Sequence, residues 1–290
     1  MSESSGNIAA SIHMPGSEER LRLRDGEVRY FRMGEGPPLL LLHGLGEGSI
    51  VWFDNIAPLA KSHTVFALDL PGHGESYKPL WERPLHQAVE FLSEFMDALG
   101  IANTSLVGNS LGGLLAIAMT LKHPDRIHRL VLENSAGLGR EVAWFLRLIS
   151  IPLLGEILAS PSRTGIRRLL NMILHHRSVW PEALVEELFK IRRVHGNKES
   201  MLFMLRNGVS VRGVKPHILL TEHLHTIKTE VLVIWGRNDP LFPVSHAERA
   251  AKILPHSRLE VFTECGHWPH LEVRDEFNHL VSDFLLNGNS

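Results

Sequence analysis

The sequence has a single cysteine, Cys265, among 290 residues. That excludes an internal disulfide and any multi-cysteine zinc site. It has no excess of either charge. Thirty Lys and Arg stand against 32 Asp and Glu, a formal net of −2, so no global positive field recruits nucleic acid. No apolar run is long enough to span a bilayer. The most apolar stretch, Trp144 to Ala159, is broken by Arg147, Pro152 and Glu156, whereas a span needs about twenty apolar residues. The N-terminal MSESSGNIAA is polar, without a basic n-region or an apolar h-region, and does not read as a Sec signal. The expectation is a soluble cytoplasmic protein with no membrane partner. What is present is ordinary for a globular chain: 44% hydrophobic and 21% charged residues exclude a disordered or collagen-like protein. The length can bury a large core unaided. Eighteen histidines is a high count; most read as surface imidazoles that acid would charge.

The patterning divides the chain unequally. Residues 1–18 read as a polar, frayed tail. Leu21 and Leu23, then Val28 and Tyr30, alternate around Asp25-Gly26, which predicts an antiparallel hairpin. After it come short apolar runs: Leu39–Leu42, Val65–Leu68, Ser105–Val107, Leu130–Leu132, Val231–Trp235 and Leu259–Phe262. Continuous apolar strands alternating with helical patterns predict an α/β fold whose parallel sheet is covered on both faces. The segment Leu111–Met119 is apolar nearly all round, as a core helix is. Between residues 137 and 225 the strand rhythm stops, and helical patterns run around Val142–Leu148, Arg167–Leu174, Pro181–Val194 and Glu199–Leu205. We therefore expect a catalytic core of residues 1–136 and 226–290 carrying a helical lid, 137–225. The lid holds 13 Lys and Arg against 7 Glu and no Asp, a net of +6. This is either a solvated helical surface or an attractor of an anionic substrate.

The sharpest local signal is Gly108-Asn109-Ser110-Leu111-Gly112, set between an apolar strand and a helix. G-x-S-x-G in that context is a strand-to-helix turn that presents a serine hydroxyl. A serine needs a base, and the base needs an orienting carboxylate. Asp239 follows strand Val231–Trp235 and His267 follows strand Leu259–Phe262. All three therefore fall at the carboxyl edge of the sheet, where such sheets place ligands. Ser110 reads as nucleophile, His267 as base and Asp239 as the acid that orients it. Glu133 also ends a strand and is the rival acid. Asp69 lies in a turn. His270 lacks the further ligands a metal needs, and Cys265 reads as a small buried filler. The backbone amides of Leu111 and Leu45 are the candidate oxyanion donors, and His43 reads as structural support for the Leu45 loop. No cofactor or metal is expected.

In order and context, His43-Gly44, Gly108-x-Ser110-x-Gly112, Asp239 and Gly266-His267 resemble the α/β-hydrolase superfamily, in its serine-nucleophile branch. The resemblance runs from about residue 20 to the end. It implies a mostly parallel sheet of about eight strands with a helical lid after the sixth. Leu68 to Ser76 is similar to lidded carboxylesterases. Cys265-Gly266-His267-Trp268 and Asp275 to Leu285 look like meta-cleavage product hydrolases, which cleave a carbon–carbon bond in vinylogous diketone acids. That likeness implies substrate-binding roles for Asn109, Trp268 and an arginine on a lid helix, matched here by Arg192. One departure is Leu45-Gly46-Glu47-Gly48, where that family has a longer glycine run with proline. Glu47 would repel an acid if it faced the pocket.

The first functional reading is a serine hydrolase of carboxylic esters acting through an acyl-enzyme. The alternative is a carbon–carbon bond hydrolase of a dienoate acid, and a minor alternative is a ligand receptor on the same fold. Each expects a small-molecule partner, anionic in the second case. Trp144, Phe145, Met172, Trp180, Phe203 and Met204 are candidate lid residues above the pocket.

Overall fold

The computed structural model describes residues 12–79, 81–176 and 180–289. The chain opens with an antiparallel hairpin, β1 (Ser17–Arg22) and β2 (Glu27–Met33), closed by the Leu23 N–H donating to the Gly26 carbonyl at 2.9 Å. The strand thus begins inside the expected tail, because Ser17 to Arg22 find a full ladder of partners on β2. Then come β3 (Pro38–Leu42), β4 (Thr64–Leu68), β5 (Thr104–Asn109) and β6 (Ile127–Glu133). A short antiparallel ribbon, β7 (Val209–Ser210) and β8 (Gly213–Val214), precedes β9 (Glu230–Gly236) and β10 (Ser257–Phe262).

Eight strands form one sheet in the order β1-β2-β4-β3-β5-β6-β9-β10, parallel from β4 to β10. This is an α/β-hydrolase fold. The apolar strands bury both faces. Leu40, Leu42, Leu106 and Leu130 join one hydrophobic cluster, and Leu39, Leu41, Val107 and Val131 the other. The period-two alternation of side chains sends neighbours to opposite layers. The edge strand β10 departs from this pattern: all six of its residues are only part-buried.

The helix Leu111–Lys122 packs beneath β5 with most of its residues buried. Between β6 and β9 the chain carries five described α-helices: Trp144–Ile149, Leu154–Leu158, Arg163–Ile173, Glu182–Arg193 and Asn197–Gly208. Four overlap the helical patterns of the sequence. The five-residue helix Leu154–Leu158 and the β7–β8 ribbon are additions that periodicity is too short to reveal. Among the described residues, no helix is long and apolar enough to cross a membrane.

Candidate active site

Ser110 sits where β5 turns into the helix Leu111–Lys122, with φ 53° and ψ −113°. A non-glycine residue at positive φ is strained, and backbone bonds hold it there. The Ser110 N–H donates to Glu133 O at 3.0 Å, and the Ser110 carbonyl accepts from Ala136 N at 3.0 Å and Leu114 N at 3.1 Å. The flanking glycines are dictated by contact. A Cβ at Gly112 would fall against the Leu42 carbonyl, and one at Gly108 would lie 2.5 Å from Gly112 O.

Asp239 follows β9 and His267 follows β10, and their side chains meet: His267 Nδ1 lies 2.9 Å from Asp239 Oδ2. That leaves Nε2 as the ring nitrogen available to a serine. Burial alone would lower the His267 pKa. The Asp239 charge and hydrogen bond, with Glu47 and Glu133 behind them, outweigh burial and raise it above the ordinary histidine value. Ser110 and His267 line one cavity of about 520 Å³, roofed by the helical insertion.

Asn134 is a residue the sequence reading missed. It has φ 42°, a left-handed conformation that asparagine tolerates better than most residues. Its Nδ2 donates to Asp239 Oδ2 at 2.7 Å, and its Oδ1 accepts from Gly236 N at 3.2 Å. Asp239 Oδ1 accepts from Leu241 N at 2.7 Å. The carboxylate is thereby aimed at His267 from both sides.

The rival acid is engaged elsewhere. Glu133 accepts from the His270 backbone N–H at 2.8 Å and pairs with His270 Nδ1 at 2.9 Å, both side chains fully buried. No group of three candidate metal ligands occurs among the described residues. Cys265 is buried, its S–H donating to Glu272 Oε1 at 3.7 Å, and burial pushes its thiol far up from the ordinary value. Asp69 is spent on turn amides, accepting from Ser49 N at 2.7 Å and Glu75 N at 2.8 Å. His43 is buried and held neutral by that burial. Its Nε2 accepts from Leu70 N at 3.0 Å, so Nδ1 carries the proton toward Gly44 O at 2.7 Å.

Leu45 and Leu111 both line the cavity. Among the described residues, neither backbone N–H has an acceptor within the chain, so both remain available to an oxyanion. Arg192 lies on the wall of the same cavity, its Nε donating to Gly46 O at 3.2 Å. Burial pulls its guanidinium below the ordinary range, and the Glu47 charge opposes that shift. Trp268 is also in the wall, and its Nε1 donates to Glu47 Oε1 at 3.2 Å. Glu47 does face the cavity, but its other oxygen accepts from Gly44 N at 2.8 Å. Asn109 is placed differently from the expectation of substrate contact. It is fully buried outside the cavity wall, and its Nδ2 donates to the His267 carbonyl at 3.2 Å. Of the expected lid residues, Trp144, Phe145, Met172 and Met204 line the cavity. Trp180 instead packs on the core, and Phe203 points outward, 38% exposed.

Glu272 is the second residue that sequence spacing did not reveal. Its Oε1 accepts from Gly266 N at 2.8 Å, and its Oε2 accepts from His175 N at 2.6 Å and His176 N at 3.0 Å. Beside it, the His267 N–H donates to Ile173 O at 2.8 Å. One carboxylate thus ties the end of helix Arg163–Ile173 to the loop that carries the base. In Glu272→Gln an amide N–H₂ faces backbone donors on one side. We expect a stability loss of about 1–3 kcal/mol and a kcat reduced about tenfold, with KM changed less. Thermal unfolding and steady-state kinetics measure both. Unchanged kcat in a protein of lowered Tm would reduce Glu272 to a purely structural brace.

The site and sheet together define a serine-type hydrolase. The alpha/beta hydrolase fold family matches residues 37–151 and 173–273, and the chain belongs to it. It is 32% identical to a 2-hydroxy-6-oxononadienedioate/2-hydroxy-6-oxononatrienedioate hydrolase of Comamonas testosteroni, covering 99% of each chain. It is 33% identical to a 2-hydroxymuconate semialdehyde hydrolase of Pseudomonas putida, covering 89% of this chain and 90% of that one. Among solved structures, a meta-cleavage product hydrolase of Pseudomonas fluorescens IP01 superposes with a TM-score of 0.81 at 29% identity, over 93% of this chain and 98% of that one.

Proposed function

We propose that the protein hydrolyses a carbon–carbon bond in a vinylogous diketone acid of the meta-cleavage product type. Arg192 carries this reading. It is a part-buried guanidinium in the wall of the Ser110 cavity, and among the described residues no carboxylate lies within ion-pair distance of it. A planar fork of this kind suits a substrate carboxylate. The names of the relatives point the same way, reversing the order in which the sequence ranked ester and carbon–carbon cleavage.

In the proposed reaction the bound dienol first ketonises, moving a proton from the enol oxygen to the carbon beside the distal ketone. Ser110 Oγ then attacks that ketone while His267 Nε2 takes its proton. The Leu45 and Leu111 amides hold the oxyanion. The carbon–carbon bond breaks, and its electron pair runs through the conjugated chain onto the keto oxygen. His267 returns the proton to that enolate. Water, deprotonated by His267, then attacks the acyl-serine; the Ser110 Oγ leaves, taking that proton back from His267, and a carboxylic acid is released. Asp239 holds the imidazole tautomer throughout, and Asn134 and Asn109 position acid and base.

A parallel assay of a chromophoric dienoate acid and a short-chain p-nitrophenyl ester tests this. The acid is expected to be consumed far faster by the parent protein. Arg192→Met should lower kcat/KM for the acid about 100-fold, the value of a charged hydrogen-bonded pair, and leave the ester within about threefold. Glu47→Gln removes the opposing charge and should lower KM for the acid, at a cost in stability because its amide N–H₂ then faces either the Gly44 N–H or Trp268 Nε1–H. Preference for the ester, or equal losses on both substrates in Arg192→Met, would return the reading to ester hydrolysis.

A further inference from the structure

The helical insertion bears an apolar face that no described residue covers. Within the stretch from residue 144 to residue 158, Trp144 is 68% exposed, Leu153 80%, Ile157 72% and Leu158 50%. The spacing is deliberate in form. Trp144 and Leu148 are four apart on one helix, and Leu153 and Ile157 are four apart at the next, so each helix turns an apolar stripe to solvent. Leu153 holds φ 68°. A branched side chain in the left-handed region is strained, and this one is exposed rather than buried. Contiguous exposed apolar surface of this kind marks an interaction site.

Two further observations say what it meets. Trp144, Leu148 and Leu158 also line the cavity that contains Ser110, so the apolar face is the rim of the cavity mouth. Residues 142–181 contain five arginines and one acid, Glu156, although Arg163 and Arg167 pair with Glu186 and Glu182 just beyond. Glu156 is consumed by Arg206, whose two terminal nitrogens reach its two oxygens at 2.7 and 2.8 Å. Arg147 lies between Trp144 and Leu148 on the same helix, part-buried, with its Nε donating to Val142 O at 3.0 Å. Arg168 lines the mouth one turn before Met172, itself 40% exposed. Among the described residues neither arginine has a carboxylate partner.

We propose that this face docks on an anionic lipid bilayer, with Trp144, Leu153 and Ile157 in the headgroup–acyl boundary and Arg147 and Arg168 against lipid phosphates. Apolar side chains flanked by cations are the composition that interfacial helices use, and tryptophan suits the boundary itself. A two-fold contact with a second copy fits less well, because it would bring the same arginines face to face without counter-charge. Docked this way, the mouth opens onto the bilayer, and the apolar end of a substrate lying at the headgroup boundary enters the cavity directly. The expectation of no membrane partner rested on the lack of a spanning run, which does not bear on docking at a surface. The inference is independent of which bond the enzyme cleaves.

The test is flotation of the full chain with phosphatidylcholine vesicles, with and without phosphatidylglycerol, at low and high ionic strength. We expect binding about tenfold or more tighter to the anionic vesicles, weakened by salt, with a blue shift of tryptophan emission that Trp144→Phe diminishes. Leu153→Asp/Ile157→Asp should abolish binding. Neither residue lines the cavity, so turnover of a water-soluble ester should stay at the parent rate. If the double variant fails to fold, Leu153→Ser and the Trp144 emission shift in the parent chain carry the test. Failure of the parent chain to bind anionic vesicles overturns the proposal, as does undiminished binding by the folded variant. A lipid-free dimer in sedimentation that the double variant dissolves would assign the face to a second copy instead.

Discussion

A Ser110→Ala protein is expected to fold normally and to cleave its substrate about 10⁴- to 10⁶-fold more slowly than the parent. The size of the loss follows from the division of labour in the cavity. In the proposed reaction, removing Oγ takes away the atom that forms the acyl bond and leaves His267 nothing to activate but water. The Leu45 and Leu111 amides and Arg192 stay in place, so a residual rate of about 10³–10⁴ over uncatalysed hydrolysis should persist. Folding is spared because the elbow is held by its backbone. The bonds to Glu133 O, Ala136 N and Leu114 N involve no serine side-chain atom. Alanine bears the same positive φ at a similar cost. Product formation from a dienoate acid and labelling by a fluorophosphonate probe read the outcome. The parent should label and the variant should not. Retention of more than about a hundredth of the parent kcat would mean that water, not Ser110, attacks the ketone.

Asp239→Asn should be nearly as damaging, with kcat reduced about 10⁴-fold. The fall comes from the base rather than from lost contact with substrate. Asp239 Oδ2 accepts from both Asn134 Nδ2 and His267 Nδ1. An asparagine in its place has two orientations. With its carbonyl oxygen at the Oδ2 position it keeps both partners but turns its amide N–H₂ onto the Leu241 N–H, which Oδ1 accepts in the parent. In the flipped orientation the Leu241 bond is kept and the amide nitrogen faces His267 Nδ1, selecting the tautomer with the proton on Nε2, which cannot act as a base toward serine. The pH profile separates this from mere misfolding. In the proposed reaction His267 acts as base when neutral, so kcat/KM is expected to rise as pH climbs through its pKa. That pKa is raised by the Asp239 charge and hydrogen bond, which places the acidic limb of the parent above the unperturbed histidine value of about 6.5. In Asp239→Asn the main raising influences are gone while burial remains, so the limb should move to lower pH. A limb that stays in place, or moves upward, would show that another carboxylate holds the base. Glu133 is poorly placed to do so because it is already paired with His270.

The parts of this molecule that were legible in its sequence are those where burial imposes a pattern. Two-sided burial makes β3 read Leu39-Leu40-Leu41-Leu42 and β9 read Val231 to Trp235, and those strands were expected within a residue or two. β10 was legible for a weaker reason, since its residues are only part-buried. The position of His267 followed from the strand before it. Asn134 and Glu272 left no such trace. Asn134 works through a left-handed backbone at the end of β6, and Glu272 through four donors, two nearby at Cys265 and Gly266 and two far along the chain at His175 and His176. Neither arrangement has a spacing signature. Asn109 shows the converse. Its place before the serine was expected through family likeness, whereas the hydrogen bond to the His267 carbonyl makes it a buttress of the base. The insertion was read as helical but not in its detail. Pro152 and Gly155 obscure a helix as short as Leu154–Leu158, and the short segment does not announce that Leu153 and Ile157 face outward.

The bond from the His267 N–H to Ile173 O, with the Glu272 carboxylate beside it, bears on how such enzymes can be recombined. In the linear chain, the insertion and the base loop are separated by a strand, a helix and another strand, and look like interchangeable modules. In space they share a seam. A chimera that took its insertion from one relative and its base from another would have mismatched partners at residues 173–176 and 265–272. It would lose rate before it lost fold. Substrate range in this architecture is therefore easier to alter by changing side chains within the insertion than by exchanging the insertion whole.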